Sequence, residues 1–195
     1  MSDRPPQLVI LAGPNGAGKT TASKRLLRDT LAVSPFVNAD TIARGLSEFE
    51  PESAAIEAGK IMISRMRDLV AKRTSFAIET TLASRSLAGF IRTARKDHGY
   101  SVTLYFLWLP SADLAVKRVA ERVLLGGHHV PEEVVRRRYE RGIANFVSLY
   151  IHMVDEWAVY NSSESLGLSL VATGGMLIET LINSATVWDN MLERR

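Results

Sequence analysis

The stretch Gly13-Pro14-Asn15-Gly16-Ala17-Gly18-Lys19-Thr20 matches the pattern G-x-x-x-x-G-K-[ST] at every fixed position. The apolar run Leu8-Val9-Ile10-Leu11-Ala12 before it reads as a buried strand, and Thr21 to Arg28 after it as a helix, so the stretch stands in the strand-loop-helix context of a phosphate-binding loop. In such a loop the glycines let consecutive backbone N–H groups turn inward around phosphate oxygens. Lys19 then supplies a mobile cation for the β- and γ-phosphates, and the Thr20 hydroxyl is the expected magnesium ligand. Residues Gly13 to Thr20, with Thr21, form the expected nucleotide-binding set, and ATP with Mg2+ are the expected ligands.

Working outward, the 195 residues are read as one domain spanning 1–195, long enough to bury a substantial core. Met1 to Gln7 is short and polar and reads as a frayed terminus. No segment has the uninterrupted apolar length that spans a bilayer, and cysteine is absent, which excludes disulfides and thiolate chemistry. A cytoplasmic protein is expected, chiefly from its need for nucleotide. The net charge of +3 suits an anionic small ligand. It is too modest to imply nucleic acid, because the basic residues gather locally between Arg118 and Arg141 rather than over a broad face with interleaved aromatics.

Along the chain, further strands are expected at Pro35 to Asp40, Ser75 to Glu79, Val102 to Leu109 and Leu168 to Thr173. Helices are expected from Thr41, from Pro51 with a stripe of Ala55, Ala58, Met62, Met66 and Leu69, and over Ser86 to His98 closed by Gly99. Ser111 caps another, buried through Val116, Val119, Ala120 and Val123. Pro131 opens a helix running past Met153, and a last one buries Leu177, Leu181, Trp188 and Leu192. The alternation predicts an α/β fold with a parallel sheet of about five strands and helices on both faces.

In an open α/β sheet ligands gather at the carboxyl ends of the strands, which puts Asp40 and Glu79 on the rim that carries the loop. Either is placed to take a proton from an acceptor hydroxyl, or to hold magnesium through water. Asp40 is preferred as the base, since the Asn38-Ala39-Asp40 end is short and polar, and Glu79 as a ligand of substrate or metal. The structural alternatives are a helix cap for Asp40 and a hydrogen-bonded loop acid for Glu79. Among the arginines, neighbours on a helix point about 100° apart, so Arg137 is read as solvated, while Arg138 and Arg141, with Arg122, are candidates to reach the site. Salt bridges to Glu121, Glu133 or Glu140 are their alternative. His128 and His129 sit in a glycine-hinged loop without a third metal ligand nearby, and His98 and His152 read as structural. Trp157, Tyr160 and Asn161 are candidate neighbours of a nucleobase, although aromatics at that spacing more often pack in a core. A nucleotide switch or ATPase without an acceptor is the competing reading. It would place an acid after the longest apolar strand, which here ends Trp108-Leu109-Pro110.

With these residues assembled, the chain resembles the zeta-toxin family of P-loop kinases, in particular its shorter members. The resemblance runs from the Gly13 loop through Phe36-Val37-Asn38-Ala39-Asp40 and Ile78-Glu79-Thr80-Thr81 to Gly126-Gly127-His128-His129-Val130-Pro131 and Arg138-Tyr139-Glu140-Arg141. It implies a P-loop kinase-type three-layer sandwich with a helical lid around residues 122–141. It also implies Asp40 as catalytic base, Lys19 on the ATP phosphates, and lid arginines Arg122 and Arg138 on the transferred phosphoryl group. The acceptor contacts would be Asn38, Glu79, Thr80, Arg85 and Arg141. Zeta toxins phosphorylate UDP-N-acetylglucosamine and are restrained by an antitoxin, so that acceptor and that partner are what the resemblance implies. The chain is short for a toxin of this group, which leaves less sequence for a large uridine-sugar pocket.

Overall fold

Leu8 to Ala12 is apolar at every position, so neither face of a strand built from it can meet water, and it belongs in the middle of a parallel sheet. The computed structural model describes residues 4–25, 33–46, 55–163 and 167–194. Its strands are β1 (Gln7–Ala12), β2 (Phe36–Asn38), β3 (Phe76–Thr80), β4 (Ser101–Trp108), β5 (Glu156–Asn161), β6 (Ser169–Gly174) and β7 (Leu181–Ile182). They are hydrogen-bonded in the order β2-β3-β1-β4-β5-β6-β7, with β1 central as its composition requires. The pairings from β2 to β5 are parallel, and β6 and β7 extend the sheet antiparallel. The register sets Ala12 opposite Thr80 and Asn38 opposite Glu79, so the carboxyl ends of β1, β2 and β3 finish together.

The helices are α1 (Lys19–Arg25), α2 (Ala39–Leu46), α3 (Ala55–Ala71), α4 (Ser86–His98), α5 (Ala112–Leu124), α6 (Glu132–Ser148) and α7 (Ala185–Leu192). Register pairs put Phe76, Leu8, Ile10, Leu104, Phe106 and Trp157 on one side of the sheet. Three helices pack there. Phe90 of α4 meets Phe76 edge-on at 6.5 Å, Phe146 of α6 stacks on Phe106 at 4.5 Å, and Trp188 of α7 lies flat on Trp157 at 5.3 Å. Val9 and Ala77 cluster with Val33 on the opposite side. Ser111 caps α5 by accepting from the Leu114 N–H at 3.1 Å, and Gly99 closes α4 in the left-handed conformation. No described helix is long and apolar enough to cross a membrane.

Several expectations need correction. The parallel part of the sheet has the five strands expected, but the fifth is Glu156–Asn161, where the spacing of the aromatics reads as helical, while Ser169–Gly174 runs antiparallel and the short β7 extends that edge to seven strands in all. The helix after Pro131 ends at Ser148, and a single 3-10 turn, Tyr150–His152, leads out of it. What stops it is Asp155, which pairs with Arg95 of α4 and accepts from the Val102 N–H at 2.8 Å, turning the chain into β5. Leu177 and Leu181 precede the last helix and are 96% and 62% exposed, while Trp188 and Met191 provide its buried face. Ala120 is exposed, and Ala115 and Val119 are the buried pair of α5. The strand expected to reach Asp40 stops at Asn38, so Asp40 lies in the first turn of α2. The expected ends of two helices, at residues 26–28 and 51–54, lie outside the described residues.

Phe146 is fully buried and makes two ring contacts in the core, whereas Leu177, expected to be buried, is 96% exposed. Phe146→Ala is expected to lower stability by about 3–5 kcal/mol, and Leu177→Ser to change it by less than about 0.5 kcal/mol, both measured by urea denaturation.

Candidate functional site

The loop between β1 and α1 takes the conformation its glycines allow, with positive φ at Gly13, Gly16 and Gly18. Gly16 has a second reason to be glycine: a Cβ there would lie 2.9 Å from the Ala115 carbonyl oxygen and 3.0 Å from the Arg118 Cβ, so its bare backbone lets α5 sit against the loop. Arg118 fixes that contact, donating to the carbonyls of Ser162 at 2.7 Å and Ser163 at 2.8 Å just beyond β5. In the sequence Arg118 stands out only as one end of the basic region that reaches Arg141, and its role is hidden because its carbonyl partners lie 44 and 45 residues away.

Lys19 is 7% exposed, and its ammonium donates to the Pro14 carbonyl at 2.9 Å, within the loop itself. Burial pushes its pKa below the ordinary lysine value; the carboxylates of Glu79 and Asp40 act against that shift, and the charges of Arg122 and Arg138 act with it. The same five groups therefore share one electrostatic neighbourhood. Glu79 is its hub. Its carboxylate accepts from the Thr20 hydroxyl at 3.1 Å and from the Asn38 amide at 2.8 Å, and stands 4.0 Å from the Lys19 ammonium.

Asn38 works in two directions. While its amide nitrogen donates to Glu79, its side-chain oxygen accepts from the backbone N–H groups of Asp40 at 2.7 Å and Thr41 at 3.3 Å, capping α2. The capping role offered as the alternative for Asp40 thus falls to Asn38, and the half-buried Asp40 carboxylate is left to face the cleft.

That cleft has a volume of about 330 Å³ and is lined by Asn15, Lys19, Asp40, Glu79, Met62 and Ser84, together with arginines of α6. A second cavity of about 310 Å³ shares Ala39, Asp40, Arg137 and Arg138 with it and extends under the loop His128 to Pro131. Thr80 and Thr81 line the first cavity, and Thr80 also accepts from the Leu82 N–H at 3.1 Å. Arg138 and Arg141 line it as the helix geometry predicts. Arg137, read as solvated, is exposed but lines both cavities, because residues 137, 138 and 141 all lie within one turn of α6. Arg122 donates to the His128 carbonyl at 2.6 Å across the glycine hinge. Arg85, at the start of α4, adjoins Ser84 but does not line the cleft, and Thr21 is exposed on α1. Trp157 is core, stacked on Trp188, and Tyr160 and Asn161 lie in β5, with Tyr160 beside Tyr105.

The loop fits a polyphosphate on its own features. The Asn15 side-chain oxygen and the Arg122 Nε are buried without a partner among the described residues, which leaves both open to hydrogen bonds from a bound ligand or an ordered water. Thr20 and Glu79 together offer the oxygen ligands that magnesium selects.

Comparison with known proteins follows the same lines. An uncharacterized protein of Haemophilus influenzae (strain ATCC 51907 / DSM 11121 / KW20 / Rd) is 30% identical over 131 residues, covering 67% of this chain and 91% of the relative. Among solved structures, the complex of AvrRxo1-ORF1 with AvrRxo1-ORF2 superposes with a TM-score of 0.80 at 15% identity, over 99% of this chain and 65% of that one. The same complex has also been solved with ATP. The PezAT toxin-antitoxin system of Streptococcus pneumoniae superposes at 0.65 with 16% identity, over 99% of this chain and 85% of that one. This chain spans less than two thirds of the length of the AvrRxo1 chain. Likenesses at these identities show a shared α/β fold. The AAA_33 family model, described as an AAA domain, matches residues 8–147, and the chain belongs to that family.

Proposed function

We propose that the protein is an ATP- and magnesium-dependent small-molecule kinase that transfers the γ-phosphate to an acceptor hydroxyl. The observation that carries this reading is the cleft, which is lined by Lys19, Asp40, Met62 and Ser84 and offers far more room than an attacking water needs. Its location at the strand carboxyl ends, next to a phosphate loop, is where an acceptor should meet the triphosphate.

In this reading the loop N–H groups and Lys19 grip the triphosphate. The acceptor oxygen attacks the γ-phosphorus, the bond to the β–γ bridging oxygen breaks, ADP leaves, and Asp40 takes the hydroxyl proton. Arg122 and Arg138, whose charges already reach Lys19, close over the transferred group, and residues 122–141 act as the lid. Thr20 and Glu79 would hold the metal, and Asn38, donating to the Glu79 carboxylate, orients it. Magnesium, when bound, neutralises charge on the phosphate oxygens. For the acceptor, a UDP-N-acetyl amino sugar is the finer reading that the zeta-toxin resemblance supplies. The likeness to PezAT, a toxin-antitoxin system, supports a protein antitoxin as partner, and the need for ATP a place in the cytoplasm.

Lys19→Ala is expected to abolish transfer from labelled ATP. Asp40→Asn should lower kcat by on the order of a hundredfold while ATP binding by calorimetry is retained, and full activity of that variant would remove Asp40 as base. Serine caps a helix about as well as asparagine, but its shorter side chain lacks the amide nitrogen that reaches Glu79. Asn38→Ser is therefore expected to raise the magnesium concentration for half-maximal rate several-fold with little change in thermal midpoint.

A pH dependence follows from the lowered Lys19 pKa. The charged lysine binds the triphosphate, and its proton is lost at a lower pH than the ordinary value of 10.5. ATP affinity is expected to fall as pH rises through that lowered value, with proton uptake on binding over the same range, read by calorimetry in buffers of different ionisation enthalpy.

A further inference from the structure

Three arginines of α6, Arg137, Arg138 and Arg141, line the cleft, and none has a hydrogen bond or a carboxylate partner among the described residues. Their neighbour Arg136, which does not line the cleft, shows what such a side chain does when acids are within reach: it bonds Asp113 at 2.6 Å and Glu132 at 2.8 Å. The cleft contributes two carboxylates. Glu79 is already engaged by Thr20, Asn38 and Lys19, which leaves Asp40 facing three unpaired guanidinium groups. Arg137 and Arg141 are exposed and Arg138 is half-buried, so the three set like charge along a concave, solvated surface to which an anionic ligand is drawn.

The triphosphate does not account for all three. Arg122 and Arg138 are the pair whose charges act on Lys19, and they are the two assigned above to the transferred group. Arg137 and Arg141 line the same cleft, together with Met62 and Ser84, and have no such assignment. We infer that Arg137 and Arg141 form an oxyanion site for the acceptor, so that the acceptor is a hydroxyl compound carrying its own phosphate or carboxylate group. The inference rests on the transferase reading for the hydroxyl and on the arginines for the anion. A sugar acid or a sugar monophosphate fits within the first cavity, whereas a sugar nucleotide extends into the second, which Arg137 also lines.

The test uses the full chain saturated with magnesium and a non-hydrolysable ATP analogue, titrated with inorganic phosphate by calorimetry. One phosphate is expected to bind to this loaded form. Arg137→Ala and Arg141→Ala should each weaken it about tenfold, and the double variant should abolish it while the analogue still binds. Arg92→Ala, which removes an exposed charge from α4, should leave it unchanged. Absence of phosphate binding to the loaded wild type, or binding that survives the double variant, overturns the site. The second arm assays transfer to gluconate, a hexose monophosphate and UDP-N-acetylglucosamine against neutral glucose and N-acetylglucosamine. Transfer to an anionic acceptor, with KM raised in the two arginine variants and the KM for ATP unchanged, supports the inference and identifies which oxyanion is used. Transfer to neutral sugars with KM unaffected by the variants overturns it and leaves the kinase reading standing. Phosphate binding without transfer to any compound supports the anion site and counts against the kinase.

Discussion

A buried ammonium group is the constraint on which the rest of the site depends. Lys19 has left water, and its charge must be held by what the fold supplies: the Pro14 carbonyl in its own loop and the Glu79 carboxylate on the next strand. Glu79 is in turn held by Thr20 and by Asn38 from β2. Three strand ends are therefore tied through one carboxylate. The parallel register that sets Ala12 beside Thr80 and Asn38 beside Glu79 is what makes this possible, since an offset of one residue would turn Glu79 toward the opposite face of the sheet.

Two forces oppose each other at Lys19. Desolvation favours the neutral amine, and the neighbouring carboxylates favour the cation, while the two arginines side with desolvation. An incoming polyphosphate acts on all of these at once, because it brings negative charge to the lysine and to both arginines. The unpartnered Arg122 Nε and Asn15 oxygen belong to the same unfinished arrangement. Strain of this kind is stored locally and is supported by the apolar core below, where Phe106, Phe146, Trp157 and Trp188 pack ring against ring.

Much of the site was legible because its signals are local or follow from strand polarity. The phosphate loop announces itself in eight consecutive residues, and Asp40 and Glu79 follow from acids at the ends of apolar runs. What stayed hidden depended on partners distant in sequence. Asn38 reads as a strand-end amide, and only the fold brings it to Glu79, 41 residues away. Helical spacing made Arg137 look solvated, since periodicity reports which way a residue points from the helix and says nothing of a cleft that wraps around it. Trp157 and Tyr160 sit three apart, as on a helix, yet β5 is fixed by the Asp155 turn and by pairing with β4. The two-residue β7, with both side chains exposed, carries no alternation to read.

The close contact between Gly142 and the loop after β3 has a consequence for selectivity. A Cβ at residue 142 would come within 2.4 Å of the Thr81 carbonyl oxygen, so α6 touches the floor of the cleft backbone to backbone. The separation between the arginine wall and the Thr80–Thr81 wall is thus a fixed length, set where two main chains meet. Side chains along the cleft can vary without disturbing that distance, but a methyl group at residue 142 would force the two main chains apart and widen the cleft from its base.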